Sequence, residues 1–190
     1  YNKHCRLYLE SYCKLERWLE RLGIAPPAAL LELGCGMGWM SEFLAATGYK
    51  VVGTTISPLE VVEAQKRVQS LKIKIPDAAL EFIATPMETV DTAVAARGPF
   101  DAAFVYEALH HAFDWRESLA AAYRCLREGG WLLICGEPNV LHTFVSYRVA
   151  RVTNTHEIGF RKGALTKELR AIGCRRIIVA TSPFHCYLKH

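Results

Sequence analysis

The sequence predicts one α/β domain in which a doubly wound, mostly parallel sheet carries helices on both faces. Short apolar runs of strand length alternate with amphipathic segments of helical spacing, and Gly or Pro marks most boundaries between them. A chain of 190 residues is long enough for one domain with a sizeable core. Alternating strands and helices favour parallel pairing, because each helix returns the chain to the same edge of the sheet.

Six short runs of mainly apolar residues predict the strands of this sheet. They comprise residues 29–33, 50–54, 80–84, 100–106, 131–135 and 177–180. Apolar runs of this kind are typical of strands that are buried on both faces of a parallel sheet.

Helices are predicted before and between the strands. An N-terminal entry helix within residues 1–25 ends before Gly23. A second boundary, Ser57-Pro58-Leu59-Glu60, supplies an N-cap hydroxyl, a proline at the first helical position and a glutamate three residues after the cap, which predicts a full capping box. Asp114 caps a later helix, and we expect Gly129-Gly130 to end it.

The composition argues against several classes of protein. The net charge of +4 is mild, and no basic run is interleaved with aromatic residues, so no nucleic-acid partner is expected. The seven cysteines form no CxxC pair, which favours free thiols in a reducing, cytoplasmic compartment. No apolar stretch is long enough for membrane insertion. The chain begins at Tyr1 with neither an initiator Met nor a signal peptide, which indicates a segment of a longer protein.

A glycine-rich turn follows the first predicted strand and precedes a helix. In Gly34-Cys35-Gly36-Met37-Gly38 the glycines let a ligand approach the backbone and face the N-terminus of that helix. Dinucleotide-binding proteins require Gly-x-Gly-x-x-Gly, and here Trp39 stands at the third glycine position. The spacing therefore disfavours a nicotinamide oxidoreductase.

The segment Leu31-Glu32-Leu33-Gly34-Cys35-Gly36-Met37-Gly38 resembles motif I of the class I S-adenosylmethionine-dependent methyltransferases. The likeness continues in order through residues 51–58, 100–111 and 126–133, and it covers residues 29–181. The resemblance implies a Rossmann-like fold for residues 1–190 and S-adenosylmethionine as the cofactor. It also implies that the chain ends at His190 within the last strand pair of the family.

By this resemblance the glycine turn wraps the methionyl part of the cofactor, and Glu32 helps to hold its amino group. The cofactor-binding residues predicted in this way are Glu32, Gly34, Cys35, Gly36, Gly38, Trp39, Thr54, Thr55, Met87, Glu88 and Tyr106.

Two positions depart from the family pattern. Most members end the second strand in an acidic residue that binds the ribose hydroxyls, where this chain has Thr55. The family often places an Asp near the adenine amino group, where this chain has Pro86. These departures keep open the alternative of a non-catalytic module that retains the fold as a binding or scaffold unit.

Polar residues that follow the fourth strand are the candidates for catalysis, because ligands bind at the carboxyl edge of such sheets. We predict catalytic roles for His110, His111 and Glu107, with histidine suited by its ordinary pKa to act as a base. No third ligand is spaced to join the histidine pair, so no metal site is predicted. Glu137 is expected only to line the rim of the pocket.

The long stretch 138–162 is predicted to be an irregular lid. Within it, His156-Glu157 either covers the acceptor or forms ordinary polar surface. The basic residues of the C-terminal part form either a solvated face or a pocket for an anionic acceptor.

The predicted function is transfer of a methyl group to a small molecule. A sugar or other metabolite hydroxyl is favoured as the acceptor because Gly38-Trp39, His110-His111 and Arg151-Val152-Thr153 resemble methyltransferases of bacterial sugar and cell-surface biosynthesis. RNA methylation stays open as a further alternative, and the oligomeric state is not predicted.

Overall fold

Five parallel strands form the central sheet in the order β3-β2-β1-β4-β5. The computed structural model describes residues 2–141, 143, 146, 150–152 and 156–180. The strands are β1 (Ala29–Leu33), β2 (Lys50–Thr55), β3 (Leu80–Ala84), β4 (Phe100–Tyr106) and β5 (Leu126–Cys135). This architecture confirms the predicted α/β fold.

Helices cover both faces of the sheet. They are α1 (Asn2–Arg21), α2 (Trp39–Ala46), α3 (Pro58–Lys74), α4 (Val90–Ala93), α5 (Trp115–Arg124) and α6 (Lys162–Ala171), with single 3₁₀ turns at Met87–Thr89 and Leu109–His111. Among the described residues, no helix is both long and apolar enough to cross a membrane.

The core is divided by the sheet into two apolar layers. Leu30 points into the layer formed with α1, α2 and α3, whereas Leu31 points into the layer formed with α4, α5 and α6. Because successive side chains of a strand face opposite ways, strands buried on both faces are apolar at nearly every position. This explains the apolar runs from which the strands were predicted.

The strand order reverses next to β1. The chain first adds β2 and β3 on one side of β1 and then returns to add β4 and β5 on the other. The crevice at the carboxyl ends of β1 and β4 is therefore the topological switch point, where ligands bind in open α/β sheets.

The prediction that Gly129-Gly130 ends a helix was wrong. Helix α5 ends at Arg124, and both glycines lie inside β5, where the register with β4 shifts between Phe100 and Ala102. A Cβ on Gly130 would lie 3.0 Å from the Arg127 carbonyl oxygen. Glycines mark helix ends and strand irregularities alike, so the local pattern does not distinguish the two.

Two predictions for the C-terminal part were also wrong. Residues 177–180 are described but form no strand, because a strand exists only through hydrogen bonds to a neighbour that the local sequence does not specify. The stretch 138–162 was expected to be irregular, yet its described residues 143, 146 and 150–152 are helical. No glycine or proline interrupts the chain between Pro138 and Gly159. Thr153 lies outside the described residues.

Candidate functional site

A cleft opens at the carboxyl edge of the sheet, between the turn after β1 and the turn after β4. The predicted site residues that line it are Glu32, Gly34, Cys35, Gly36, Trp39, Tyr106, Glu107 and His110. The predicted residues that do not line it are Gly38, Thr54, Thr55, Met87, Glu88 and His111. Helix α1 forms one wall of the cleft, and residues that follow β5 form another.

The three glycines of the turn differ in how much space a side chain would have at each position. All three have left-handed backbones, with φ values of 69°, 52° and 76° for Gly34, Gly36 and Gly38. A Cβ on Gly34 would lie 2.5 Å from Ala108, and one on Gly38 would lie 2.2 Å from Phe82, so both positions are set by packing. A Cβ on Gly36 would meet nothing within 4 Å. Gly36 therefore leaves open space where its backbone borders the cleft.

Glu32 places a buried carboxyl group beneath the glycine turn. Its side chain accepts a hydrogen bond from the Ser41 hydroxyl and another from the Ser41 backbone, in the first turn of α2. Burial raises the pKa of Glu32 to about 7, although the Ser41 hydrogen bonds act in the opposite direction. A cationic ligand group in the cleft would favour the ionised carboxylate.

Three residues predicted to bind the cofactor have contacts within the chain. The Thr54 hydroxyl is buried and donates to the Glu32 carbonyl oxygen at 2.9 Å. The Glu88 carboxylate accepts from the Asp114 backbone amide at 3.0 Å, next to the N-terminus of α5. Met87 packs against the first glycine of the turn, where it would lie 2.6 Å from a Cβ.

The capping box predicted at α3 is only half formed. Ser57 does cap the helix, since its hydroxyl accepts from the Glu60 amide at 3.3 Å. The Glu60 carboxylate, however, accepts from the Thr55 hydroxyl at 2.5 Å rather than from the Ser57 amide. Glu60 also lines the cleft. The glutamate that the sequence assigned to helix capping is therefore a site residue that sequence reasoning missed.

Aromatic contacts fix α1 over the mouth of the glycine turn. Tyr8 stacks on Trp39 with ring centroids 4.6 Å apart. The Tyr106 hydroxyl, at the end of β4, donates to the Ser11 hydroxyl at 2.7 Å. Trp39 is therefore part of the cleft wall as well as of the packing between α1 and α2.

Glu137 organises the turn after β4. Its Oε1 accepts from the backbone amides of Ala108 and Leu109, each at 2.8 Å, and its Oε2 accepts from the His110 amide at 3.1 Å. Oε2 also lies 2.8 Å from Nδ1 of the His110 ring. From the sequence we expected Glu137 only to line the rim of the pocket. The available signal was a carboxylate directly after the strand that neighbours β4.

His110 lies among three carboxylates. Burial disfavours its charged form, but the hydrogen bond and charge of Glu137, together with the charges of Glu157 and Glu107, raise the pKa of His110 above its ordinary value. Glu107 has a left-handed backbone with φ of 49°, which is costly for a residue other than glycine. Its side chain lies over Gly136, where a Cβ would come within 2.6 Å of Glu107 Cγ.

The expectation that nothing joins the histidine pair was wrong. The backbone amide of Ile158 donates to the His110 carbonyl oxygen at 3.2 Å and fixes the segment before α6 beside the turn. Glu157 Oε1 then lies 3.3 Å from Nδ1 of His111, and Oε2 lies 4.0 Å from Nε2 of His110. The structure thus adds a carboxylate to the pair that sequence spacing did not reveal.

Comparison with known proteins gives a consistent family. A family model described as a methyltransferase domain matches residues 31–134. An S-adenosyl-L-methionine-dependent Diels-Alderase of Talaromyces variabilis is 31% identical over 117 residues, which are 62% of this chain and 38% of that protein. A ubiquinone biosynthesis O-methyltransferase of Thiobacillus denitrificans is 28% identical over 116 residues, which are 61% of this chain and 47% of that protein. The chain thus spans less than half the length of these relatives.

Solved structures show the same fold at low identity. Magnesium protoporphyrin IX methyltransferase from Synechocystis PCC 6803, with bound S-adenosylhomocysteine (SAH), has a TM-score of 0.66 at 20% identity and covers 86% of this chain and 71% of that one. The [4+2]-cyclase SpnF has a TM-score of 0.64 at 19% identity and covers 85% of this chain and 57% of that one.

Replacing Glu137 by Ala should lower the free energy of unfolding by about 2–4 kcal/mol, because the amides of residues 108–110 lose a charged acceptor. Urea unfolding monitored by circular dichroism measures this. Glu128→Ala, an exposed carboxylate in β5, is the control and should change little. Equal effects of the two substitutions would contradict the role given to Glu137.

The stability of the ligand-free protein should depend on Glu32 between about pH 4.5 and about pH 7. In this window the unfolded chain has ionised Glu32 while the folded state retains the proton, so the free energy of unfolding falls as pH rises and levels off above it. The loss is on the order of 3 kcal/mol. Denaturant unfolding at several pH values should show that Glu32→Gln removes this slope. Parallel pH profiles of wild type and variant would contradict the assignment.

Proposed function

This chain belongs to the S-adenosylmethionine-dependent methyltransferase family, and from that premise we propose that it transfers a methyl group from S-adenosylmethionine to an oxygen of a small-molecule acceptor. The observation that carries the proposal is the open backbone position at Gly36, which borders the same cleft as Glu32 and His110. A cofactor bound at the glycine turn and an acceptor bound at His110 would therefore share this cleft.

The residues of the cleft fit the cofactor. The open space at Gly36 admits a ligand against the backbone, and α2 begins directly after the turn with its N-terminal amides. Glu32 provides a carboxylate for the cofactor's amino group, and the start of α2 favours its carboxylate. When bound, S-adenosylmethionine supplies an activated methyl group on a sulfonium. The chain then has mainly to position the acceptor for in-line attack.

Glu60 takes the place of the acidic residue that most of the family has at the end of the second strand. The Thr55 hydroxyl donates to one carboxylate oxygen of Glu60, which orients the carboxylate at the border of the cleft. A carboxylate so oriented accepts hydrogen bonds from a pair of ribose hydroxyls. The departure at Thr55 is thereby compensated from the first turn of α3.

The acceptor is proposed to contact the polar groups after β4, namely His110, His111 and Glu107. Glu137 fixes the His110 ring, and the left-handed backbone of Glu107 directs its side chain over Gly136. Both His110 and Glu107 line the cleft. An oxygen acceptor is supported by the O-methyltransferases among the relatives, which include a malonyl-[acyl-carrier protein] O-methyltransferase of Pseudescherichia vulneris at 29% identity. A sugar or other metabolite hydroxyl stays our preferred acceptor.

The setting of the reaction is proposed to be cytoplasmic. All cysteines among the described residues are free thiols, as expected in a reducing compartment. The net charge of +4 is too small to indicate a nucleic-acid substrate.

The alternative is a module that keeps the fold without transferring a methyl group. The similarity to an S-adenosyl-L-methionine-dependent Diels-Alderase favours keeping this candidate. Calorimetry with SAH and incubation with labelled S-adenosylmethionine distinguish a methyltransferase from such a module. Binding of SAH without methylation of any hydroxyl compound in a broad set of acceptors would favour this module.

Replacing Gly36 by Ala should weaken SAH binding at least about tenfold, because the new Cβ projects into the space left for the ligand. Isothermal titration calorimetry measures the affinity. Gly23→Ala is a matched control, since Gly23 also has a left-handed backbone (φ 73°) and open space around its Cβ position. Each substitution should cost about 1 kcal/mol of stability, whereas only the first should affect binding. Unchanged binding by the Gly36 variant would refute the placement of the cofactor.

Replacing Glu60 by Ala should weaken SAH binding about ten- to a hundredfold through the loss of charge-assisted hydrogen bonds. Adding Thr55→Asp to this variant should restore part of the affinity, because it returns a carboxylate to the end of β2. Glu63→Ala removes a nearby exposed carboxylate of α3 and should leave binding unchanged. Wild-type affinity in the Glu60 variant would show that Glu60 does not serve the ribose.

A further inference from the structure

We propose that His110, His111 and Glu157 form a binding site for a divalent transition-metal cation of the zinc type. One nitrogen or oxygen ligand atom from each side chain lies within 4.8 Å of the other two. The cation's remaining position would take an oxygen of the acceptor. Only this last role rests on the proposed function, since the three ligands form the site whether or not the cofactor binds.

The separations of the ligand atoms suit such a cation. Two ligand atoms bound to tetrahedral zinc at about 2.0–2.2 Å lie roughly 3.3 Å from each other. Glu157 Oε1 is 3.3 Å from His111 Nδ1, and Glu157 Oε2 is 4.0 Å from His110 Nε2. His111 Nδ1 also lies 3.2 Å from the His156 carbonyl oxygen, a contact that a cation bound at Nδ1 would replace. All three ligand atoms lie within 4.8 Å of one another, so adjustment of the side chains can bring them around one cation.

Glu137 orients His110 as outer carboxylates orient metal-binding histidines. It lies 2.8 Å from Nδ1 of the ring and is itself held by the backbone amides of residues 108–110. A neutral ring with its hydrogen on Nδ1 carries a lone pair on Nε2, the nitrogen on the side of Glu157. Nε2 of His110 and the Glu157 carboxylate can both donate an electron pair to a cation bound between them.

The segment that carries Glu157 is fixed beside the histidines by the backbone. Ile158 donates its amide to the His110 carbonyl oxygen at 3.2 Å, and Phe160 donates its amide to the Pro138 carbonyl oxygen at 2.9 Å. The side chains of His110 and Glu157 are only 12% and 15% exposed. His110 and Glu157 are therefore partly shielded from water, whereas the His111 side chain is 49% exposed.

The donor set selects the class of cation. Imidazole nitrogens favour zinc and related transition metals, whereas Mg²⁺ and Ca²⁺ prefer shells made of oxygen. Two histidines and one glutamate leave one position of a tetrahedral ion open, as in catalytic zinc sites. Because His110 lines the cleft, we place that open position on the side of the acceptor.

The test titrates the whole chain, without a histidine tag and after dialysis against a chelator, with Co²⁺ as the probe. Tetrahedral Co²⁺ absorbs visible light strongly, so binding is followed directly without an activity assay. We expect a visible band that saturates at one Co²⁺ per chain and that Zn²⁺ displaces. Glu157→Gln and His111→Asn should each weaken Co²⁺ binding at least about tenfold.

Two control variants remove similar groups outside the cluster. His156→Asn removes a neighbouring imidazole whose ring lies against Phe113, and Glu128→Gln removes an exposed carboxylate of β5. Both should bind Co²⁺ like the wild type, with thermal unfolding confirming that all variants are folded. Absence of the band, or equal Co²⁺ affinity in all variants, would overturn the metal site.

SAH calorimetry on the same samples separates this proposal from the proposed function. Protein that binds SAH but no Co²⁺ refutes only the metal site. Protein that binds Co²⁺ with the expected losses in the Glu157 and His111 variants, but no SAH, supports the metal site and refutes the cofactor proposal.

Discussion

Parallel pairing of the five strands is the constraint on which the site depends. Because every ladder is parallel, the carboxyl ends of all strands meet at one edge, and the turns that follow them become neighbours. The glycine turn follows β1, Glu60 lies just beyond β2, His110 follows β4, and Glu137 follows β5. An antiparallel sheet made from the same segments would distribute these groups over two edges. The reversal of strand order beside β1 then opens the cleft between them.

Several carboxylates lie at this edge of the sheet, and each accepts hydrogen bonds from different donors. Glu32 is buried with the Ser41 hydrogen bonds as its support, and its pKa rises to about 7. Glu60 is held by the Thr55 hydroxyl, and Glu137 by three backbone amides and an imidazole. Burying a charge without partners costs several kcal/mol, so these contacts are what allow carboxylates at such a place. The carboxyl groups thereby order the backbone and also shape the site.

The three glycines at the same edge fall into two groups, those that packing requires and one that packing does not require. Gly34 and Gly38 lack room for a Cβ because Ala108 and Phe82 occupy the space, so they are required by the packing of turn, helix and sheet. Gly36 has room for a Cβ in the structure of the chain itself. Gly23 has open space as well, but of the two only Gly36 lines the cleft. The turn is thus packed against helix and sheet, and one open backbone position, Gly36, faces the cleft.

Local sequence determined the strands, the entry helix, the cap at Ser57 and the glycine turn, because each depends on side-chain periodicity or on backbone preferences of a few adjacent residues. It did not determine whether Gly129-Gly130 ends a helix or distorts a strand, nor that residues 177–180 would lack a strand partner, since both depend on a neighbouring strand. Eight of the predicted site residues line the cleft, most of them adjacent to the glycine turn or to β4.

Only the tertiary structure decided the partners of those residues. Glu137 is 27 positions from His110 in the chain, and Glu157 is separated from His111 by the whole of α5 and β5. Local pattern carries no signal over such separations, and the strand order and the docking of the segment before α6 bring these groups together. The sequence thus determined the kind of fold and the glycine turn, whereas the carboxylates that surround the histidines follow from packing between distant segments.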